Sequence, residues 1–202
     1  MAETSYPPLL VVLSGPSGVG KDAALTELRN LDRPWHFVVT ATTRKIRTGE
    51  TEGKDYIFLD EPTFLGMKER DEFVEFAQVY GNWYGVPKNQ VTIGLEAGKD
   101  VILKIDVQGA ATVRKMAPNA LFLFMVPGSF EELQERLSQR MTESTPEIEL
   151  RLKTAENEMN QGNGFDRQVL NSKDNLEQAV ADIDSAIAEE KRRVGRSPIL
   201  IL

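Results

Sequence analysis

The chain has no cysteine among its 202 residues. Disulfides and thiolate metal sites are therefore excluded, and a reducing cytoplasm is an allowed home. It has a single histidine, His36, so no multi-histidine metal site can form. It has no apolar run near the roughly 20 residues that a membrane-spanning helix needs, and Pro198–Leu202 is too short to be one. That tail is expected either to pack on the body or to fray. Met1–Pro8 lacks a basic start before an apolar stretch and does not read as a secretory signal. Positive charge is also in short supply: 24 Lys and Arg face 31 Asp and Glu, a formal net charge of −7. Such a balance argues against sequence-independent nucleic-acid binding, which needs cations to neutralise phosphates. A small phosphorylated ligand needs only a local cluster of arginines.

Hydrophobic residues at 41% and charged residues at 27% suit one α/β domain with small insertions. Leu9–Leu13, Val101–Ile105 and Leu121–Val126 are continuous apolar runs, the mark of strands buried on both faces of a parallel sheet. Helical patterns over Lys21–Leu31, Lys88–Ala97 and Gln108–Met116 alternate with them, predicting βαβ units. A last strand near Gln168–Leu170 and a helix over Asn175–Arg193 complete a core of about residues 1–39, 87–136 and 161–202. Residues 40–86, with short strands at Tyr56–Leu59 and Phe73–Val79, read as an inserted subdomain. The polar, helical residues 137–160 read as a lid.

Gly15-Pro16-Ser17-Gly18-Val19-Gly20-Lys21 fits G-x-x-x-x-G-K after an apolar strand and before a helix. Glycines let successive N–H groups turn toward a β-phosphate, the helix N-terminus adds positive potential, and Lys21 carries a full charge to the β and γ oxygens. The pattern then calls for Ser or Thr, but residue 22 is aspartate. Asp22 either offers Mg²⁺ a hard oxygen ligand or simply stabilises the first helical turn; the sequence leaves both open. Further on, Arg44, Arg47, Glu50 and Tyr56 crowd a short glycine-punctuated stretch. Arginine forks match phosphate oxygens, so a second phosphate site, and hence a phosphorylated acceptor, is expected.

Three segments carry a more specific resemblance. Thr42–Tyr56 follows T-T-R-x-x-R-x-G-E-x-x-G-x-D-Y, Glu75–Gly85 follows E-x-A-x-x-x-G-N-x-Y-G, and Ile105–Ala110 follows I-D-x-Q-G-A. In order and spacing, from about residue 9 to 193, the chain resembles guanylate kinases. The resemblance implies a P-loop-type, mostly parallel sheet flanked by helices, with a GMP-binding insertion and a helical lid. It implies transfer of the γ-phosphoryl group of ATP to GMP or dGMP with Mg²⁺, by a cytoplasmic monomer or small homo-oligomer.

Carried over by residue, Arg44, Arg47, Tyr56 and Tyr84 would hold the GMP phosphate, with Glu50 and Gly85 in the same site. Glu75 would read the guanine N1–H and N2–H₂ donors, and Thr40 would place a hydroxyl near O6. Asp106 would orient Mg²⁺ or the acceptor arginines, and Asp22 would be a second metal ligand. Arg140 and Arg151 would close over the ATP phosphates with help from Arg136, and Asn171 would contact adenine.

Two more positions depart from the family. Val86 stands where a base-contacting hydroxyl is usual, and Lys104 where an acid is usual. Asp22 and Lys104 are expected to form a compensating pair if their elements neighbour each other; otherwise Lys104 reaches solvent alone. Two other readings stay open on sequence: a kinase of another phosphorylated small molecule, such as ribose 1,5-bisphosphate, and a non-catalytic guanylate-kinase-like interaction domain.

Overall fold

Apolar runs flanked by helix-forming segments fold here into two sheets with helices on both faces of the larger one. The computed structural model describes residues 6–79, 81–138, 145–197 and 199, with the side chains of 145–151 outside that description. The first half of the chain runs β1 (Leu10–Ser14), α1 (Lys21–Asn30), β2 (Trp35–Phe37), β3 (Ala41–Thr42), β4 (Ile57–Phe58), α2 (Glu61–Glu69), β5 (Phe73–Val79) and β6 (Asn82–Pro87). The second half runs α3 (Lys88–Glu96), β7 (Asp100–Lys104), α4 (Val107–Met116), β8 (Leu121–Pro127), α5 (Phe130–Ser138), α6 (Thr145–Asn160), β9 (Arg167–Asn171) and α7 (Leu176–Arg192).

The larger sheet is parallel, in the order β2-β7-β1-β8-β9. Side chains alternate across a strand, and here the alternation feeds two separate cores. Leu9, Val11 and Leu13 join Ile102, Leu123 and Met125 on the face covered by α1, α5, α6 and α7. Leu10 and Val12 join Val101, Leu103 and Phe122 on the face covered by α3 and α4. Being buried on both faces is why these strands read as unbroken apolar runs rather than as alternating ones. Ile199 also packs against the second core, so this part of the tail is docked.

The smaller sheet, in the order β4-β3-β6-β5, takes up residues 41–87. It has its own small core of Ala41, Phe64 and Phe73, with the Phe64 and Phe73 rings stacked 4.5 Å apart. Val74 and Val86 extend from it into the second core of the main body, which fixes how the two sheets meet. Leu13 of β1 lies in register with Lys104 of β7. The loops leaving these two strands therefore emerge side by side at the carboxyl edge of the sheet, where open α/β sheets bind their ligands. No helix among the described residues is long and apolar enough to cross a membrane.

Candidate active site

A cavity of about 520 Å³ opens at that edge. Its walls come from the 15–22 loop, from the 40–56 segment, from β5 and β6 of the smaller sheet, and from the end of β7.

The donor side is the loop between β1 and α1. Gly20 caps α1 at φ 102°, in the left-handed region that glycine tolerates. A Cβ there would also lie 2.5 Å from Asn171 Nδ2. Asn171 is buried and donates from Nδ2 to the Val19 carbonyl at 2.7 Å. Arg136 donates to the same carbonyl at 3.0 Å and to the Asn171 carbonyl at 3.1 Å, while also pairing with Glu132. Both residues, which the resemblance assigns to ATP, brace the loop and do not line the cavity. Gly15 and Pro16 act through their carbonyls, which accept from Lys21 Nζ at 2.5 and 3.1 Å. Burial lowers the Lys21 pKa from its ordinary value, against the upward pull of Glu158 and Asp22. Ser17, Gly18, Val19, Gly20, Lys21 and Asp22 all face the cavity. Glu158 of α6 accepts from the Ser17 N–H at 3.0 Å, an amide of the loop expected to hold phosphate.

The acceptor side is built around Arg44. Glu50 grips its guanidinium with both oxygens, at 2.8 and 3.0 Å, and also accepts from the Arg47 N–H at 2.8 Å. Glu50 thus sets the aim of Arg44. Burial works against the Arg44 charge, but bonds to Glu50 and Tyr84 outweigh it and raise its pKa; the same pairing lowers that of Glu50 despite its own burial. Tyr56 and Tyr84 stand beside Arg44 with ring centroids 6.1 Å apart, and the Arg44 guanidinium lies 5.1 Å from the centre of the Tyr56 ring. Arg47 is exposed at the rim.

Glu75, only 6% exposed, reaches the cavity from β5. Burial first, and the Asp106 charge second, push its pKa up to about 8. It fits because Gly109 has no side chain: a Cβ there would lie 2.6 Å from Glu75 Oε2. Thr40 lines the same region. Asp106 also faces the cavity, and its Oδ1 caps α4 by accepting from the Gly109 N–H at 2.8 Å.

Several expectations change on this evidence. Gly85 does not line the cavity; it is buried so that Phe73 and Phe64 can close over it, and a Cβ there would lie 2.8 Å from Phe73 Cδ1. Val86 is fully buried in the second core, so it replaces a hydroxyl with packing rather than presenting a methyl to a base. Lys104 is the last residue of β7, and Asp106 is already the cap of α4. Both still meet the cavity. Arg140 lies outside the described residues, and Arg151 falls within α6 with its side chain outside them.

Asp22 and Lys104 do pair, with Lys104 Nζ 2.5 Å from Asp22 Oδ1. Lys104 Nζ also donates to the Tyr56 hydroxyl at 2.8 Å. Burial disfavours the Lys104 charge, but Tyr56 and Asp22 more than offset that and raise its pKa. The residue-by-residue roles leave out Lys104, Ala77, Val79 and Asn82, which also line the cavity, although Ala77 and Asn82 are fixed positions of the Glu75–Gly85 motif. A signal was available for two of them: Glu75, Ala77 and Val79 are spaced two apart on β5 and so share one face.

Among the described residues no cluster of three or more His, Asp or Glu could cage a metal alone. Asp22 and Asp106 nevertheless bring two carboxylates to one cavity beside Lys21. Two hard oxygen donors suit Mg²⁺, which usually takes one or two carboxylates together with waters and substrate phosphates.

Comparison with known proteins extends over almost the whole chain. The family model described as "Guanylate kinase" matches residues 8–190. Guanylate kinase 2, chloroplastic/mitochondrial, of Oryza sativa subsp. japonica is 45% identical over 96% of this chain and 68% of its own length. A guanylate kinase of Caldanaerobacter subterraneus is 43% identical over 96% of this chain and 93% of its own. The crystal structure of guanylate kinase from Anaplasma phagocytophilum superposes with a TM-score of 0.80 at 30% identity, covering 95% of this chain and 90% of that one.

Proposed function

From the premise that this chain belongs to the guanylate kinase family and phosphorylates GMP at the expense of ATP, we propose that the cavity between the 15–22 loop and Glu75 is where the transfer occurs. The observation that carries this reading is the presence of two anion seats on one cavity. The loop and Lys21 form one, Arg44 with Tyr56 and Tyr84 forms the other, and a buried carboxyl stands beside the second. One seat takes the ATP polyphosphate and the other the GMP phosphate, with guanine against Glu75.

A GMP phosphate oxygen attacks the γ-phosphorus in line. The new P–O bond forms as the bond to the β-phosphate oxygen breaks, and ADP leaves. The acceptor is already an anion and needs no general base, so the residues act by positioning and by countering charge. Lys21 draws charge from the transferred group. Arg44, aimed by Glu50, screens the repulsion between donor and acceptor phosphates, and Arg47 adds charge at the rim. Glu75 as the carboxylate accepts from guanine N1–H and N2–H₂, and Thr40 stands near O6. Adenine lacks that donor pair and would leave Glu75 unsatisfied.

Asp22 and Asp106 are the residues that would hold Mg²⁺, which when bound neutralises phosphate charge. Arg140 and Arg151 would close over ATP as residues 137–160 fold down with the 40–86 segment, excluding water from the transfer. Asn171 and Arg136 act on ATP by holding the loop in shape. The acceptor is GMP or dGMP. A chain without cysteine suits the cytoplasm, where a monomer or small homo-oligomer would meet both nucleotides.

Arg44→Met tests the assignment. Turnover is expected to fall by about 100-fold or more, with melting temperature and ATP affinity nearly unchanged. Activity within a few-fold of the parent would remove Arg44 from the acceptor seat.

A further inference from the structure

Lys104 stands at the end of a parallel strand, on the nucleotide cavity, with its side chain only 12% exposed. Burying an ammonium is unfavourable unless it is paired and hydrogen-bonded. Lys104 has both kinds of partner. Asp22 Oδ1 lies 2.5 Å away on the first turn of α1, and Tyr56 Oη lies 2.8 Å away in the 40–56 segment. One cation therefore joins the helix that carries Lys21 to the segment that carries Arg44.

The direction of these bonds matters. An ammonium can only donate, so the Tyr56 oxygen accepts from Lys104 and its single O–H proton must be turned elsewhere. Arg44, which too can only donate, lies 5.1 Å from the centre of the Tyr56 ring. Neither cation can take that proton, and Tyr56, Arg44 and Lys104 all line the cavity. A phosphate held there would supply the acceptor that this proton lacks.

We propose that Lys104 is a positioning residue for the acceptor nucleotide: held by Asp22, it fixes the Tyr56 O–H toward the GMP phosphate and adds positive charge to that seat. The proposal rests on the assignment of the cavity's Arg44 side to the GMP phosphate. It gives the aspartate after Lys21 a task in the acceptor half of the site. Asp22 is 68% exposed, so it can be hydrated once its partner is gone, and losing Lys104 should leave no buried unpaired acid.

The test is calorimetric binding of GMP and of guanosine, without ATP, to the intact chain and to Lys104→Met, Tyr56→Phe and the double variant. Lys104→Met should weaken GMP at least tenfold and leave guanosine, which has no phosphate, within twofold. Tyr56→Phe should do much the same, and the double variant should lose little more than the worse single one, because the two residues act as a unit. Lys104→Gln, which keeps a neutral donor, should recover part of the lost affinity. A role in stability alone would lower the melting temperature and weaken both ligands together, and that result overturns the proposal. So does unchanged GMP affinity in Lys104→Met while the parent binds GMP. Failure of the parent itself to bind GMP would instead remove the acceptor-seat assignment on which the proposal rests.

Discussion

At the scale of single residues the site is governed by what each charge is allowed to touch. Glu75 stands in a place that favours its neutral form, with a pKa pushed up to about 8 by burial and the nearby Asp106. Guanine's two donors need the carboxylate, so binding GMP must expel a proton. GMP affinity should therefore rise several-fold between pH 7 and pH 8.5, where the nucleotide phosphate is already ionised, and fall again at higher pH as the guanine N1–H is itself lost. Calorimetry in buffers of different ionisation heat would show the released proton, and Glu75→Gln should remove both the slope and the affinity.

The sign for folding is opposite. Neutral Glu75 favours the folded state, so its contribution is present below the ordinary carboxyl value of 4.5 and is lost as the pH rises toward 8. Gly109→Ala makes a second test, because the added Cβ would push on Glu75 Oε2 from 2.6 Å. The KM for GMP should rise tenfold or more while the KM for ATP holds. Equal changes in both would mean that the damage is general.

Glycine, arginine and glutamate motifs made most of these residues legible in the sequence, because phosphate and guanine impose a fixed chemistry on short segments. The grip of Glu50 on Arg44 and the pairing of Lys104 with Tyr56 were not legible. They depend on rotamers and on a meeting of segments 48 residues apart.

At the scale of elements, β1, β7 and β8 were readable to within a residue, since strands buried on both faces leave continuous apolar runs. The two-residue β4 falls inside the strand expected at Tyr56–Leu59, but the two-residue β3 was not readable. β3 is too short to show a period, and it is held between β4 on one side and β6 on the other. β6 was hidden for another reason: its sequence Asn82–Pro87 is rich in aromatics and glycine and looked like a motif rather than a strand.

The contact between α6 and the phosphate loop belongs to this scale as well. With Glu158 on the Ser17 N–H, an oxygen of α6 sits where a phosphate oxygen is wanted. ATP must displace it and overcome its charge. Glu158→Ala should then bind a non-hydrolysable ATP analogue several-fold more tightly when GMP is absent. Weaker binding would show that Glu158 orders the loop for ATP instead.

At the scale of the whole molecule, two cores lie on opposite faces of the parallel sheet, and the smaller sheet joins the second of them through Val74 and Val86. This arrangement brings residues from four separate stretches of chain to one cavity, with donor and acceptor seats facing each other. Fold class and reaction were both foreseeable, the first from the alternation of apolar strands and helices and the second from motifs in the right order. The Asp22–Lys104 pair was expected on the condition that their elements neighbour each other, and they do. Two departures from a pattern, 82 positions apart, proved to be a single interaction once β1 and β7 lay side by side.

The central claim is that Glu75 and the Arg44 seat make this cavity a reader of guanine monophosphate. It is tested most directly by kcat/KM for GMP and for AMP, measured by ADP release in the parent and in Glu75→Gln. The account predicts that the parent prefers GMP by about 10⁴-fold or more, and that Glu75→Gln collapses the preference by losing GMP. A parent that phosphorylates AMP about as well as GMP, or a Glu75→Gln variant that keeps the full preference, would contradict it.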